Sequence, residues 1–224
     1  MALFCRCFIR HLALILLMAF YVILNTSIAQ AQILRAYGLK AGFILAEQRW
    51  HYSPQSGIDA SGIGPVWGFD TGGFVEFFNF PNFSLLTELR YLQRGRTVTV
   101  NGVKVADTPQ GYIDLGQQEI QQRFEYISIP VLVKIRFGNE RVTPYVALGP
   151  RLEYLISYPS SSVYDQFNKF ELAASVAAGT AINFGIKPRL LCEFHYSQSI
   201  NNSFKNEFVT VNNRSLSFLI GLEF

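Results

Sequence analysis

Charge is scarce in this chain of 224 residues: only 16% of them are Asp, Glu, Lys or Arg, against about 25% in an average soluble domain. A surface that meets water on every side needs more. Cysteine is scarce as well. Cys5 and Cys7 sit at the extreme N-terminus and leave Cys192 alone, so no disulfide framework can form. Long apolar runs are missing: the longest, Leu12 to Leu24, holds thirteen residues, whereas a membrane-spanning helix takes about 20. Basic runs are missing too, and the net charge is only +3. That leaves no electrostatic footprint for nucleic acid. What is abundant is apolar: 50% of residues are hydrophobic and 15% aromatic, with 20 Phe and 11 Tyr. Intrinsic disorder, which needs the opposite composition, is excluded.

Residues 1 to 31 read as an address and not as structure. Arg6, Arg10 and His11 precede the thirteen-residue apolar run, and Ala29-Gln30-Ala31 supplies small residues at cleavage spacing. This pattern predicts a signal peptide at 1–31, cleaved after Ala31, and a single domain over 32–224. No Cys follows the apolar run, which speaks against a lipid anchor.

The remainder shows no sustained period of 3.6. It alternates instead, the mark of strands whose two faces meet different environments. From Glu125 to Phe137, residues Ile127, Ile129, Val131, Val133, Ile135 and Phe137 share one face, while Lys134 and Arg136 lie on the other. Ser215 to Phe224 repeats the pattern with Leu216, Phe218, Ile220, Leu222 and Phe224. The same parity predicts strands at Ala36–Leu45, Gly68–Phe78, Phe83–Arg94, Pro144–Ile156, Phe170–Phe184 and Arg189–Ser197. Eight strands result. Apart from Glu125 at a strand's end, the charges in them fall on the less apolar face: Lys40, Arg90, Arg94, Lys134, Arg136, Arg151 and Arg189 against Asp70, Glu76, Glu88, Glu153, Glu171, Glu193 and Glu223.

Connections alternate in length. Asn79–Asn82, the turn around Gly138–Arg141, and Gly185–Pro188 are short and rich in turn formers. Ala46–Trp67, Gly95–Phe124, Ser157–Lys169 and Gln198–Arg214 are long. Short turns at one end and long loops at the other are the rhythm of a membrane barrel with its short turns in the periplasm. Within the second long connection, Thr97 to Val105 reads as a hairpin turning at Asn101-Gly102, which prolongs the third and fourth strands beyond the lipid.

Alternation alone leaves open which face is inside, and a soluble eight-stranded barrel of lipocalin type is the competing fold. Its exterior would need several Lys and Glu on nearly every strand, and the first, second and sixth segments have few. The ending Phe218, Ile220, Leu222, Phe224 resembles the C-terminal signature by which the barrel-assembly machinery reads outer-membrane proteins. Such a strand offers main-chain bonds at an edge and alternate side chains for specificity. Tyr126-Ile127-Ser128-Ile129-Pro130-Val131-Leu132-Val133-Lys134, followed by Pro144-Tyr145-Val146-Ala147-Leu148-Gly149-Pro150, resembles the middle of the small PorT-like outer-membrane barrels of Bacteroidetes. The resemblance implies an all-β, eight-stranded antiparallel up-and-down transmembrane β-barrel in the bacterial outer membrane. Some members of that family assist secretion, a role that no motif here carries over.

An eight-stranded barrel is just wide enough for side chains to fill it. Seven cations and seven anions in that space should pair, because an isolated charge there is severely desolvated. Glu88, Arg90, Lys134, Arg151 and Glu193 are the candidates for a middle layer of ion pairs that plugs the lumen. Phe77, Phe83, Phe137, Phe184 and Phe224 near the short turns, and Tyr91, Tyr154 and Tyr196 toward the long loops, are expected as interfacial girdles.

Chemistry is sparse. His195 is expected to point inward beside Glu193 and near Ser197, a set with the types of an acyl-transfer triad, but residues two apart on a strand lie about 7 Å apart, too far for direct bonds. Cys192 and His195 fall on opposite faces, which speaks against a shared metal. No catalytic, cofactor or metal site is expected. Trp50, His51 and Tyr52 in the first long loop, and Tyr158 and Tyr164 in the third, are candidate surface contacts. The reading is therefore a non-enzymatic barrel with a structural, adhesion or partner-docking role. Its expected partners are outer-membrane lipid, lipopolysaccharide, the assembly machinery and a secretion or surface protein. The alternatives are an accessory of secretion or transport, and a membrane-embedded hydrolase or acyltransferase.

Overall fold

A computed structural model describes residues 33–52, 63–78, 80–100, 104–108, 111–114, 118–138, 141–159, 167–204 and 209–224. The expected leader lies outside them. Eight long antiparallel strands run in chain order: β1 (Leu34–Tyr52), β2 (Val66–Phe77), β3 (Phe83–Val100), β4 (Gln118–Arg136), β5 (Val142–Ser157), β6 (Phe170–Ile182), β7 (Arg189–Ser199) and β8 (Val209–Glu223). Each pairs with its sequence neighbours, and β1 pairs with β8 from Gly38↔Glu223 to Tyr52↔Val209. The sheet thus closes on itself. Closure matters because an open edge would leave backbone donors and acceptors facing lipid.

Side-chain parity holds around the wall. Leu39, Phe43, Phe69, Leu89, Val133, Leu148, Val176, Phe194, Phe218 and Ile220 point outward and are exposed, whereas Ile44, Asp70, Glu88, Arg90, Leu132, Lys134, Arg151, Glu153 and Glu193 point inward and are buried. The apolar exterior and charged interior are the inverse of a water-soluble barrel. Phe83, Phe137, Phe184 and Phe224 ring the short-turn end, and Trp67, Tyr154, Phe170 and Tyr196 lie exposed toward the other. Gly138 and Gly185 take φ of 94° and 87° in two of the short turns, a conformation that costs glycine nothing.

Two expectations are corrected. First, β1 does not end at Leu45 but continues to Tyr52. β3 and β4 are prolonged as expected, though Thr97–Val100 take Gln121–Gln118 as partners and not the segment after Asn101-Gly102. The expected turn itself lies outside the described residues, and beyond it residues 104–108 pair with 111–114. Second, Trp67 is no loop residue; it sits on β2 opposite Leu45. At the start of β1, before the segment expected as strand, a register shift between Leu34 and Ala36 breaks the parity. Arg35, which strict alternation turns outward, instead meets Glu76 with Nε 3.0 Å from the carboxylate.

Candidate functional site

The lumen is stacked in layers. At its short-turn end, the Glu76 carboxylate accepts from Lys134 Nζ at 2.8 Å and from Ser84 Oγ at 2.8 Å, and pairs with Arg136. Glu223 lies 3.6 Å from Lys134 and pairs with Arg189. Above this comes an apolar layer of Phe74, Leu86, Leu132, Tyr145, Ala147, Ala177, Ala181 and Leu191. Two lysines border the layer through cation–π contacts: Lys134 Nζ is 4.2 Å from the Tyr145 ring centre and Lys40 Nζ 4.9 Å from that of Phe74.

The middle layer centres on Lys40. Its ammonium donates to Glu88 at 2.7 Å and to Glu193 at 2.8 Å. Arg90 pairs with Asp70 and reaches Glu88 at 3.2 Å, and Tyr145 donates its hydroxyl to Glu193 at 2.7 Å. His195 Nδ1 lies 2.8 Å from Arg90 Nη1 and 3.5 Å from Glu193. An arginine can only donate, so that ring nitrogen accepts. Glycines make room for this chemistry. A Cβ on Gly72 would stand 2.8 Å from Arg90 Cγ and 2.2 Å from the Leu89 carbonyl oxygen, and one on Gly179 would stand 2.7 Å from the Tyr145 ring.

Farther out, Arg94 donates to Glu153 at 2.7 Å and lies 3.5 Å from Glu171, while Arg151 pairs with Glu153. Ser203 and Asn213 each donate to Glu171 at 2.5 Å. An aromatic layer closes this end. Trp50, Phe124, Phe167 and Phe204 are buried together with Ile44, Leu92, Tyr126, Leu155 and Val211. Their ring centres stand 5.3 to 5.9 Å apart, and the Arg96 guanidinium lies 4.1 Å over Trp50.

The five residues expected in one layer therefore fall into three. Glu88, Arg90 and Glu193 meet in the middle, Lys134 belongs to the short-turn cluster, and Arg151 to the outer one. The hub, Lys40, was visible by parity but not singled out. Of the expected surface contacts, Trp50 is corrected: it points inward and is 8% exposed, because β1 keeps its parity beyond the lipid. His51 and Tyr52 end β1 opposite Thr210 and Val209, their side chains outside the described set. Tyr158 is exposed just beyond β5, and Tyr164 lies outside the described residues. Phe218, Ile220, Leu222 and Phe224 all face outward along β8. His195 sits beside Glu193, but Ser197 bonds to Ser215 at 2.8 Å. Among the described residues no cluster of His, Cys, Asp and Glu could hold a metal ion.

A closed eight-stranded barrel, apolar outside and ion-paired inside, is an integral protein of the bacterial outer membrane. The chain belongs to the family described as outer membrane protein beta-barrel domain, whose model matches residues 28–205. Among solved structures, the outer membrane protein OprG of Pseudomonas aeruginosa is similar, with a TM-score of 0.51 and 10% identity over 86% of this chain and 97% of that one. Neisserial surface protein A matches at a TM-score of 0.44 and 16% identity, over 85% and 99% of the two chains. The attachment invasion locus protein Ail of Yersinia pestis, solved with the heparin analogue sucrose octasulfate, matches at 0.41 and 18% identity, over 84% and 98%. At such identities the likeness to OprG speaks for the fold alone. No curated protein matches the chain.

Proposed function

We propose that this protein is a non-enzymatic, non-conducting barrel whose filled lumen rigidifies the wall, so that its long connections can serve as a structural or docking surface on the cell exterior. The observation that carries this reading is the stack of inward charges with opposite partners at each level, under an aromatic layer built by Trp50, Phe124, Phe167 and Phe204. Paired side chains at that density leave little room for a water column in a barrel of eight strands. His195 is held by Arg90 and Glu193 and Ser197 by Ser215, which gives no nucleophile and base in contact there.

The partners we infer follow from position. The aromatic-flanked apolar band faces lipid, with lipopolysaccharide around the long-connection end, and Phe218, Ile220, Leu222 and Phe224 are the residues that the assembly machinery would read on β8. A surface or secretion protein would meet the exposed ends of the strands. Reconstitution in planar bilayers tests the reading. A silent membrane is expected at protein densities confirmed by recovery from the bilayer, and steady conductance steps would refute the filled lumen.

A further inference from the structure

The charge balance of the lumen is uneven among the described residues, and the larger positive excess sits at the short-turn end. The outer layer sets Arg94 and Arg151 against Glu153 and Glu171, and the middle layer sets Lys40 and Arg90 against Asp70, Glu88 and Glu193. At the short-turn mouth, by contrast, Arg35, Lys134, Arg136 and Arg189 share two side-chain carboxylates among the described residues, Glu76 and Glu223. Lys187 adds a further cation beside them.

This end is also hollow. A cavity of about 630 Å³ opens among Arg35, Arg136 and Arg189, with Asn82, Thr143 and Asn183 on its wall. A second, of about 190 Å³, shares Arg35, Asn183 and Arg189 and is bordered by Lys187 and Glu223. The three guanidiniums lean on two carboxylates, Arg35 and Arg136 on Glu76 and Arg189 on Glu223, so an anion entering the space between them would meet a net positive wall. Planar guanidinium forks match the oxygens of a phosphate, which offers several acceptors to convergent donors.

We propose that the periplasmic mouth of the barrel is a binding site for a phosphate group, held by Arg35, Arg136 and Arg189 with Lys187 at its rim. Two sources present that chemistry at this depth. One is the headgroup of an anionic phospholipid in the inner leaflet, since Phe137 lines the cavity and Phe224 borders its neighbour at the level of the aromatic girdle. The other is a soluble phosphate in the periplasm. The site is independent of whether the lumen conducts.

Calorimetric titration of the full chain folded in maltoside micelles, with inorganic phosphate and separately with dihexanoyl phosphatidylglycerol, tests the proposal. At least one should bind, with an affinity that falls as salt rises. Phosphatidylglycerol binding that phosphate displaces only weakly points to the lipid source; phosphate binding that the lipid does not displace points to the soluble one. Lys187→Gln with Arg189→Gln should weaken binding about tenfold per cation removed. Heat-modifiable gel mobility establishes that the variant is folded, and Lys187→Gln alone, in the exposed turn, serves if the double variant is not. The proposal is overturned if neither compound binds, or if a folded variant binds as tightly as the parent.

Discussion

Replacing Lys40 by Met removes the ammonium that joins the buried carboxylates of Glu88 and Glu193. It donates to Glu88 at 2.7 Å and to Glu193 at 2.8 Å, and its side chain is 5% exposed. Breaking a buried ion pair by deleting one partner costs about 3–5 kcal/mol, because the charge left behind is desolvated and unmatched. Here the abandoned groups keep some company: Arg90 lies 3.2 Å from Glu88, and the Tyr145 hydroxyl donates to Glu193 at 2.7 Å. The expectation is therefore at the low end, about 3 kcal/mol. Urea titration in micelles, followed by gel mobility of the unheated protein and by tryptophan fluorescence, measures it. Two companions make the reasoning strict. Adding Glu88→Gln and Glu193→Gln to Lys40→Met leaves Arg90 paired with Asp70 and should recover much of the loss. Arg49→Ala, which breaks a pair with Glu47 whose side chains are 43% and 42% exposed, should change stability by less than about 1 kcal/mol. A Lys40→Met protein within about 1 kcal/mol of the parent, or a triple variant less stable than the single one, would refute the view that charge matching holds the middle layer together.

Gly72→Val should fail to give the heat-modifiable folded form, since its Cβ would stand 2.2 Å from the Leu89 carbonyl oxygen; the adjacent Gly73→Ala, with its nearest contact at 3.5 Å, should fold normally. Trp50→Ala opens the aromatic layer against Phe167 and Phe204 and should cost about 3–5 kcal/mol in the same urea titration. Leu39→Arg, at a position 67% exposed in the apolar band, should lower the folding free energy in lipid vesicles by about 2–4 kcal/mol.

Much of the wall was legible beforehand because lipid imposes a binary rule. A strand with hydrocarbon on one side must alternate, so Ile127 to Phe137 and Leu216 to Phe224 announced their structure, and the scarcity of charge then told which face looks outward. The rule lapses where lipid ends. Glu47–Tyr52 continues β1 with Glu47 and Arg49 outward, which left Trp50 looking like loop. The partners of Thr97–Val100 escaped the sequence because Asn101-Gly102 is a local turn signal, whereas their pairing with Gln121–Gln118 follows a ladder already in register.

Composition and alternation by themselves determined an eight-stranded barrel with an apolar exterior and a charged interior, since no other arrangement satisfies a backbone in hydrocarbon with so few charges to spend on a surface. Which charge meets which was decided only by the closed wall. Pairing partners such as Lys40, Glu88 and Glu193 stand 48 and 153 residues apart, and strand register alone sets their heights in the lumen. A bulge at one strand end turned Arg35 toward Glu76, and closure gathered Arg136 and Arg189 around the same cavity. Parity is a property of each strand, whereas height and proximity are properties of the ring.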